Sequence, residues 1–84
     1  MSKHIDITEH LIEEAILANS NYATLLQIRD SLNEILKTDD RVTVSLFQKK
    51  LNEALSLGMI SSKVDTVNGL KRKYYFITGD GRLI

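Results

Sequence analysis

The stretch Ile60–Ile77, ISSKVDTVNGLKRKYYFI, decides the fold. Two segments of strand-forming residues flank Asn68-Gly69, the strongest two-residue signal for a β-hairpin, because a type I′ turn needs a positive φ at both positions. The turn also sets the strand register, with the predicted opposing pairs Val67–Leu70, Asp65–Arg72, Lys63–Tyr74 and Ile60–Ile77.

The hairpin has two different faces, because side chains alternate along a strand. One face carries Ile60, Ser62, Val64, Tyr75 and Ile77, and we expect it to pack on the rest of the protein. The other carries Lys63, Asp65, Arg72, Tyr74 and Phe76. The alternating aromatic residues are more typical of packing than of stacking on nucleic-acid bases. Two cations of this face have a structural alternative to binding a ligand. Lys63 can lie on the Tyr74 ring, and Arg72 can pair with Asp65 across the hairpin.

Upstream of the hairpin, apolar spacing and capping residues predict three helices. The first begins near Thr8 and ends at Asn19-Ser20-Asn21, and the second runs from Tyr22 or Thr24 to Lys37. The third opens at Thr43 or Ser45, where Ser45 and Gln48 match a capping box, and Gly58 ends it. Residues 38–41 form the connector, and 42–44 add a short extended piece.

The predicted third helix has two contrasting sides. Phe47, Leu51, Ala54 and Leu55 fall within an arc of about 100° and form the apolar side. The opposite side, which we call the polar arc, consists of Ser45, Gln48, Lys49, Asn52 and Ser56. Glu53 lies outside the polar arc, which therefore contains no acid to repel a polyanion.

Composition narrows the class of protein. The 84 residues predict one domain, with ordinary apolar and charged fractions, no cysteine and no net charge. The charge is unevenly distributed, since residues 1–44 hold eight acids and four bases, whereas 45–84 hold three acids and seven bases. No stretch resembles a membrane span or a signal peptide, so we expect a cytoplasmic protein.

Nothing in the sequence predicts catalysis, a cofactor or a metal site. His10, Glu13 and Glu14 have helical spacing, but three side chains on an exposed turn are more typical of a solvated face than of a metal site. The segment TGDG at 78–81 lacks the lysine and the helix of a phosphate-binding loop. No Ser-His-Asp set is present, so we do not expect an enzyme.

Two segments of the sequence resemble those of a known protein family. FQKKLNEALSLGMI, at 47–60, resembles the third helix of bacterial winged helix-turn-helix domains, and RKYYFITGDGRLI, at 72–84, resembles their wing exit. The chain from about residue 8 onward is thus similar to PadR-like and MarR-like regulators. The resemblance implies an α+β winged helix of three helices and a two-stranded hairpin, the wing.

That resemblance also implies a function, namely sequence-specific binding of double-stranded DNA by a small bacterial, phage or plasmid transcription regulator associated with the nucleoid. Residues Ser45, Gln48, Lys49 and Asn52 would read bases in the major groove, and Lys71, Arg72 and Lys73 would contact phosphates. The acidic N-terminal helix would then face a second subunit or a protein partner. The alternative is a winged-helix protein–protein adaptor that does not bind DNA.

Overall fold

The computed structural model describes residues 7–37 and 42–78, which form three helices followed by a two-stranded antiparallel hairpin. The helices are α1 (Glu9–Leu17), α2 (Leu25–Leu36) and α3 (Val44–Ser56), and the strands are β1 (Ile60–Val67) and β2 (Leu70–Ile77). This α+β layout is consistent with a winged helix and confirms the predicted order of elements. The predicted connector at 38–41 and residues 79–81 of the TGDG segment lie outside the described residues.

Side-chain caps begin the first two helices. The Thr8 hydroxyl accepts a 3.2 Å hydrogen bond from the backbone N–H of Leu11, as the predicted N-cap requires. At the start of α2, the Thr24 hydroxyl accepts from the backbone N–H of Gln27, and the Gln27 amide oxygen accepts from the backbone N–H of Thr24. This reciprocal capping box satisfies two donors that a helix leaves unpaired.

The start of α3 matches one of the two predicted positions, Thr43, and excludes the other, Ser45. The capping box of Ser45 and Gln48 is wrong, because the helix begins at Val44 and both residues lie inside it. Thr43 is the N-cap and makes no capping hydrogen bond with its side chain. Val42 is buried in the core and Thr43 has an extended backbone, so the predicted extended piece at 42–44 ends before Val44, the first residue of α3.

One apolar core joins the three helices to the base of the hairpin. The apolar sides of the three helices face it, although Ile35 of α2 remains 36% exposed. In the part of the chain that the structure describes, no polar or charged residue is buried. The buried residues are Ile7, Ile12, Ala15, Ile16, Ala23, Ile28, Leu32, Val42, Phe47, Leu51, Ala54, Ile60 and Tyr75.

The hairpin has the predicted register throughout, from Ile60 opposite Ile77 to Val67 opposite Leu70. Asn68 and Gly69 have φ values of 53° and 80°, so both occupy the left-handed region that a type I′ turn requires. Ile60 and Tyr75 are buried, which confirms that the base of their face packs on the helices, whereas Val64 of the same face is 59% exposed.

The segment between α1 and α2 extends the sheet on the side of β2 that faces away from β1. Ala23 exchanges two backbone hydrogen bonds with Tyr75, at 3.0 and 2.7 Å. Two residues earlier, the Asn21 side chain accepts from the N–H of Ile77 at 2.7 Å and so imitates a strand backbone. The hairpin is therefore fixed to the helical body by polar contacts as well as by the core.

Candidate nucleic-acid interface

The polar arc of α3 lies on the solvent side of the helix. All five of its members are at least partly exposed, namely Ser45, Gln48, Lys49, Asn52 and Ser56. On the opposite side of the same helix, Phe47 and Leu51 are almost completely buried and fix the rotation of α3 against the core. Packing of the apolar side thus presents hydroxyl, amide and ammonium groups together at the surface.

An open depression of about 410 Å³ follows this arc, and one acid borders it. Lys49 and Asn52 line it together with Glu53, Ser56 and Leu57. The Glu53 carboxylate lies 3.6 Å from the ammonium of Lys50, which also lies 4.0 Å from Glu9. Lys50 therefore forms ion pairs within the protein, whereas Lys49 is the cation of the polar arc that is available to a ligand.

The three consecutive cations of the wing, Lys71, Arg72 and Lys73, are all exposed. The register places Lys71 and Lys73 on the face that carries Tyr75, and Arg72 on the opposite face. The ammonium of Lys73 lies 5.7 Å from the centroid of the Tyr75 ring, within the range of a cation–π interaction. One wing cation is thus directed toward the body of the protein.

Asp65, the acid in the middle of the wing, is bound by Tyr22. The Tyr22 hydroxyl donates a 2.8 Å hydrogen bond to the Asp65 carboxylate. This hydrogen bond is the main cause of a raised pKa at Tyr22, and partial burial and the Asp65 charge add to it. Arg72 faces Asp65 in the register, but among the described residues no ion pair joins the two.

The aromatic residues of the wing pack against the same tyrosine. The rings of Tyr22 and Tyr74 are stacked, with centroids 4.4 Å apart and planes at 4°, and Phe76 lies 6.3 Å from Tyr22. This confirms the prediction that these aromatic residues serve packing. The alternative that Lys63 lies on the Tyr74 ring is not observed among the described residues, where Tyr74 stacks on Tyr22.

Two of the three wing cations lie beside the beginning of α2. Arg72 and Lys73 line a depression of about 260 Å³ with Thr24, Leu25, Leu26 and Tyr75. The first turn of α2 contains no acid, and a helix N-terminus carries a partial positive charge. The predicted site residues thus form two groups, one along α3 and one where the wing passes the start of α2.

Two acids of α1, Glu9 and Glu14, lie close to basic side chains of the protein. The His10 ring nitrogen lies 3.2 Å from the Glu14 carboxylate, one helical turn away. Residues 7–37 and 42–78 contain no group of three or more potential metal ligands. Across the same ranges, no helix has the length and apolar character needed to cross a membrane.

The sequence pattern does not indicate that Tyr22 contacts the wing. The sequence pattern indicates only a helix boundary there, yet Tyr22 binds the wing through both its hydroxyl and its ring. No local pattern could have found it, because its partner Asp65 is 43 residues away in the sequence.

Comparisons with known proteins give no relative: the chain matches no protein-family model, and no curated protein or solved structure is significantly similar to it.

Proposed function

We propose that this protein is a sequence-specific DNA-binding transcription regulator. The observation that carries the proposal is the exposed, acid-free polar arc of α3, accompanied by a cationic hairpin in the same small domain. In this proposal α3 enters the major groove and the wing contacts the sugar–phosphate backbone.

The chemistry of the polar arc suits direct reading of bases. Gln48 and Asn52 are one helical turn apart and exposed, and their amides can donate to and accept from an adenine edge. Lys49 can reach the O6 and N7 acceptors of guanine, and Ser45 can contact several bases. Glu53 would repel phosphates, but its ion pair with Lys50 offsets that charge.

The wing supplies contacts that do not depend on sequence. Lys71 and Arg72 are exposed, and Asp65, the acid of the hairpin, is held by Tyr22. The N-terminus of α2 lies beside Arg72 and Lys73, which adds a third source of positive potential. With three to five phosphates neutralised, log K should fall against log salt with a slope of about −3 to −4.5.

The N-terminal helix α1 is then assigned to the side away from DNA, where a second subunit or another protein can bind. Operator occupancy alone would account for regulation, without a cofactor and without catalysis. The protein would act in the cytoplasm, on the nucleoid.

Selection of bound duplexes from a random-sequence pool tests this function, since it identifies an operator of any sequence. We expect enrichment of a short motif by the unaltered protein. A protein carrying Gln48→Ala and Asn52→Ala should retain affinity for DNA in general but enrich no motif, or a degenerate one.

Two other results would contradict the proposal. Enrichment of the same motif by the double variant would remove α3 from base reading. Absence of any DNA affinity at about 50 mM salt, where electrostatic binding is strong, would leave the winged-helix adaptor as the better function.

A further inference from the structure

The tip of the wing carries two aliphatic side chains that lie outside the hydrophobic core. Val67 and Leu70 face each other in the last rung before the turn, and they are 41% and 58% exposed. The same face also carries Ser61, Lys63, Asp65 and Arg72, with the aromatic residues Tyr74 and Phe76 nearer the base. Leucine at this position leaves apolar surface in water, which costs free energy that a polar residue would not cost.

Cross-strand contact explains only part of this pair. Opposing side chains at the end of a hairpin do stabilise it. A pair that large is not needed for that purpose, because Asn68-Gly69 already sets the turn and register. The outer face of the pair stays accessible to a ligand.

Two cations and one acid lie next to the pair. Lys71 follows Leu70 directly but belongs to the other face, Arg72 occupies the next rung on the same face, and all three are exposed. The acid is Asp65, which lies opposite Arg72 and whose carboxylate accepts the Tyr22 hydrogen bond. An apolar tip with an excess of one positive charge beside it is complementary to a ligand that is anionic outside and apolar inside.

Double-stranded DNA has this distribution, with phosphates along the groove and stacked bases within it. Some DNA-binding proteins insert an apolar side chain between base pairs from the minor groove and kink the duplex by about 20–90°. Building on the function proposed above, we propose that Leu70, supported by Val67, is a wedge that enters a base step and bends DNA. Pyrimidine–purine steps, which unstack most easily, would be the preferred targets.

Ligase-mediated cyclisation of a mixed-sequence duplex of about 150 base pairs tests the wedge, because that length is near the persistence length and closes rarely unless it is bent. Fluorescence anisotropy on the same duplex, at low salt, measures binding separately. The proteins compared are the unaltered chain, Leu70→Ser, the conservative Leu70→Met and Lys71→Ala, each checked for folding by circular dichroism.

We expect the unaltered protein and Leu70→Met to raise the yield of circles several-fold. Leu70→Ser should lose that increase while its affinity changes by less than about threefold, since phosphate contacts dominate affinity. Lys71→Ala should show the opposite behaviour, with weaker binding but normal bending at equal occupancy.

Each other outcome overturns the wedge in a distinguishable way. Binding without bending, or bending that survives Leu70→Ser, refutes the wedge and leaves the proposed regulator intact. Failure of the unaltered protein to bind the duplex refutes both. Binding to phosphatidylserine vesicles in place of DNA would assign the cationic, apolar tip to membranes instead.

Discussion

The Tyr22 hydroxyl donates a 2.8 Å hydrogen bond to the Asp65 carboxylate and thereby joins the segment before α2 to the middle of β1. The Tyr22 ring stacks on Tyr74 of β2, so a single side chain contacts both strands. The contact lies beyond Ser62 and Tyr75, the rung where the core ends. Tyr22 therefore holds the wing to the body outside the hydrophobic core.

Replacement of Tyr22 by phenylalanine should weaken this connection while it preserves the stacked ring. We expect a lower melting temperature and faster amide hydrogen exchange in the hairpin, with little change in α3. Hydrogen exchange followed residue by residue by NMR would check both. Uniformly unchanged exchange would show that the hydroxyl does not restrain the wing.

Tyr22 should also make the stability of the protein depend on pH. The pKa of Tyr22 is raised above 10.0, first by its hydrogen bond to Asp65, so the folded state favours the protonated phenol. This contribution to stability is complete below the unfolded-state pKa of about 10 and is lost as the pH rises through the higher folded-state pKa. Urea unfolding at several alkaline pH values should show a steeper loss for the unaltered protein than for Tyr22→Phe. Equal pH dependence of the two proteins would contradict this assignment.

Two of the three threonine N-caps, Thr24 and Thr43, allow a matched comparison of capping. Thr24 takes part in a reciprocal capping box, whereas the Thr43 side chain makes no capping hydrogen bond. Thr24→Ala should therefore lower the free energy of unfolding by about 0.5–2 kcal/mol. Thr43→Ala should change it by less than about 0.5 kcal/mol. Urea denaturation of both variants is the measurement, and a larger loss at Thr43 would refute the assigned start of α3.

The rotation of α3 can be tested with two leucines on different sides of that helix. Leu51 is 1% exposed and belongs to the core, whereas Leu46 is 45% exposed. Leu51→Ala should cost about 2–5 kcal/mol, because it leaves a cavity as well as removing apolar contacts. Leu46→Ala should cost less than about 0.5 kcal/mol, as for most surface sites. Equal costs would mean that α3 presents a different side to the core, and hence a different side to solvent.

Patterns of period two and period 3.6 predicted the elements of this fold well. The hairpin register followed from Asn68-Gly69 alone, because a two-residue turn with positive φ leaves only one pairing of the strands. The side of α3 that faces solvent followed from the spacing of Phe47 and Leu51. Exposure of the proposed base-reading residues was predictable for the same reason.

Features without a periodic pattern could not be predicted. The motif S-x-x-Q at Ser45 is also compatible with a helix interior, and only the extended backbone of Thr43 shows that α3 begins at Val44. The pairing of Ala23 with Tyr75 involves one residue on each side and gives no alternation to detect. The hydrogen bond of Tyr22 to Asp65 depends on tertiary packing across distant segments.

Two adjacent lysines of α3 provide the most direct test of the proposed interface. Lys49 belongs to the exposed polar arc, whereas Lys50 is close to both Glu53 and Glu9. DNA affinity of Lys49→Ala and Lys50→Ala should be measured by anisotropy over a range of salt concentrations. We predict that Lys49→Ala weakens binding to the selected motif by about 1–3 kcal/mol at every salt concentration, because the contact with guanine acceptors is lost, with almost no change for Lys50→Ala. Equal affinities of the two variants and the unaltered protein would contradict the assignment of the polar arc to DNA.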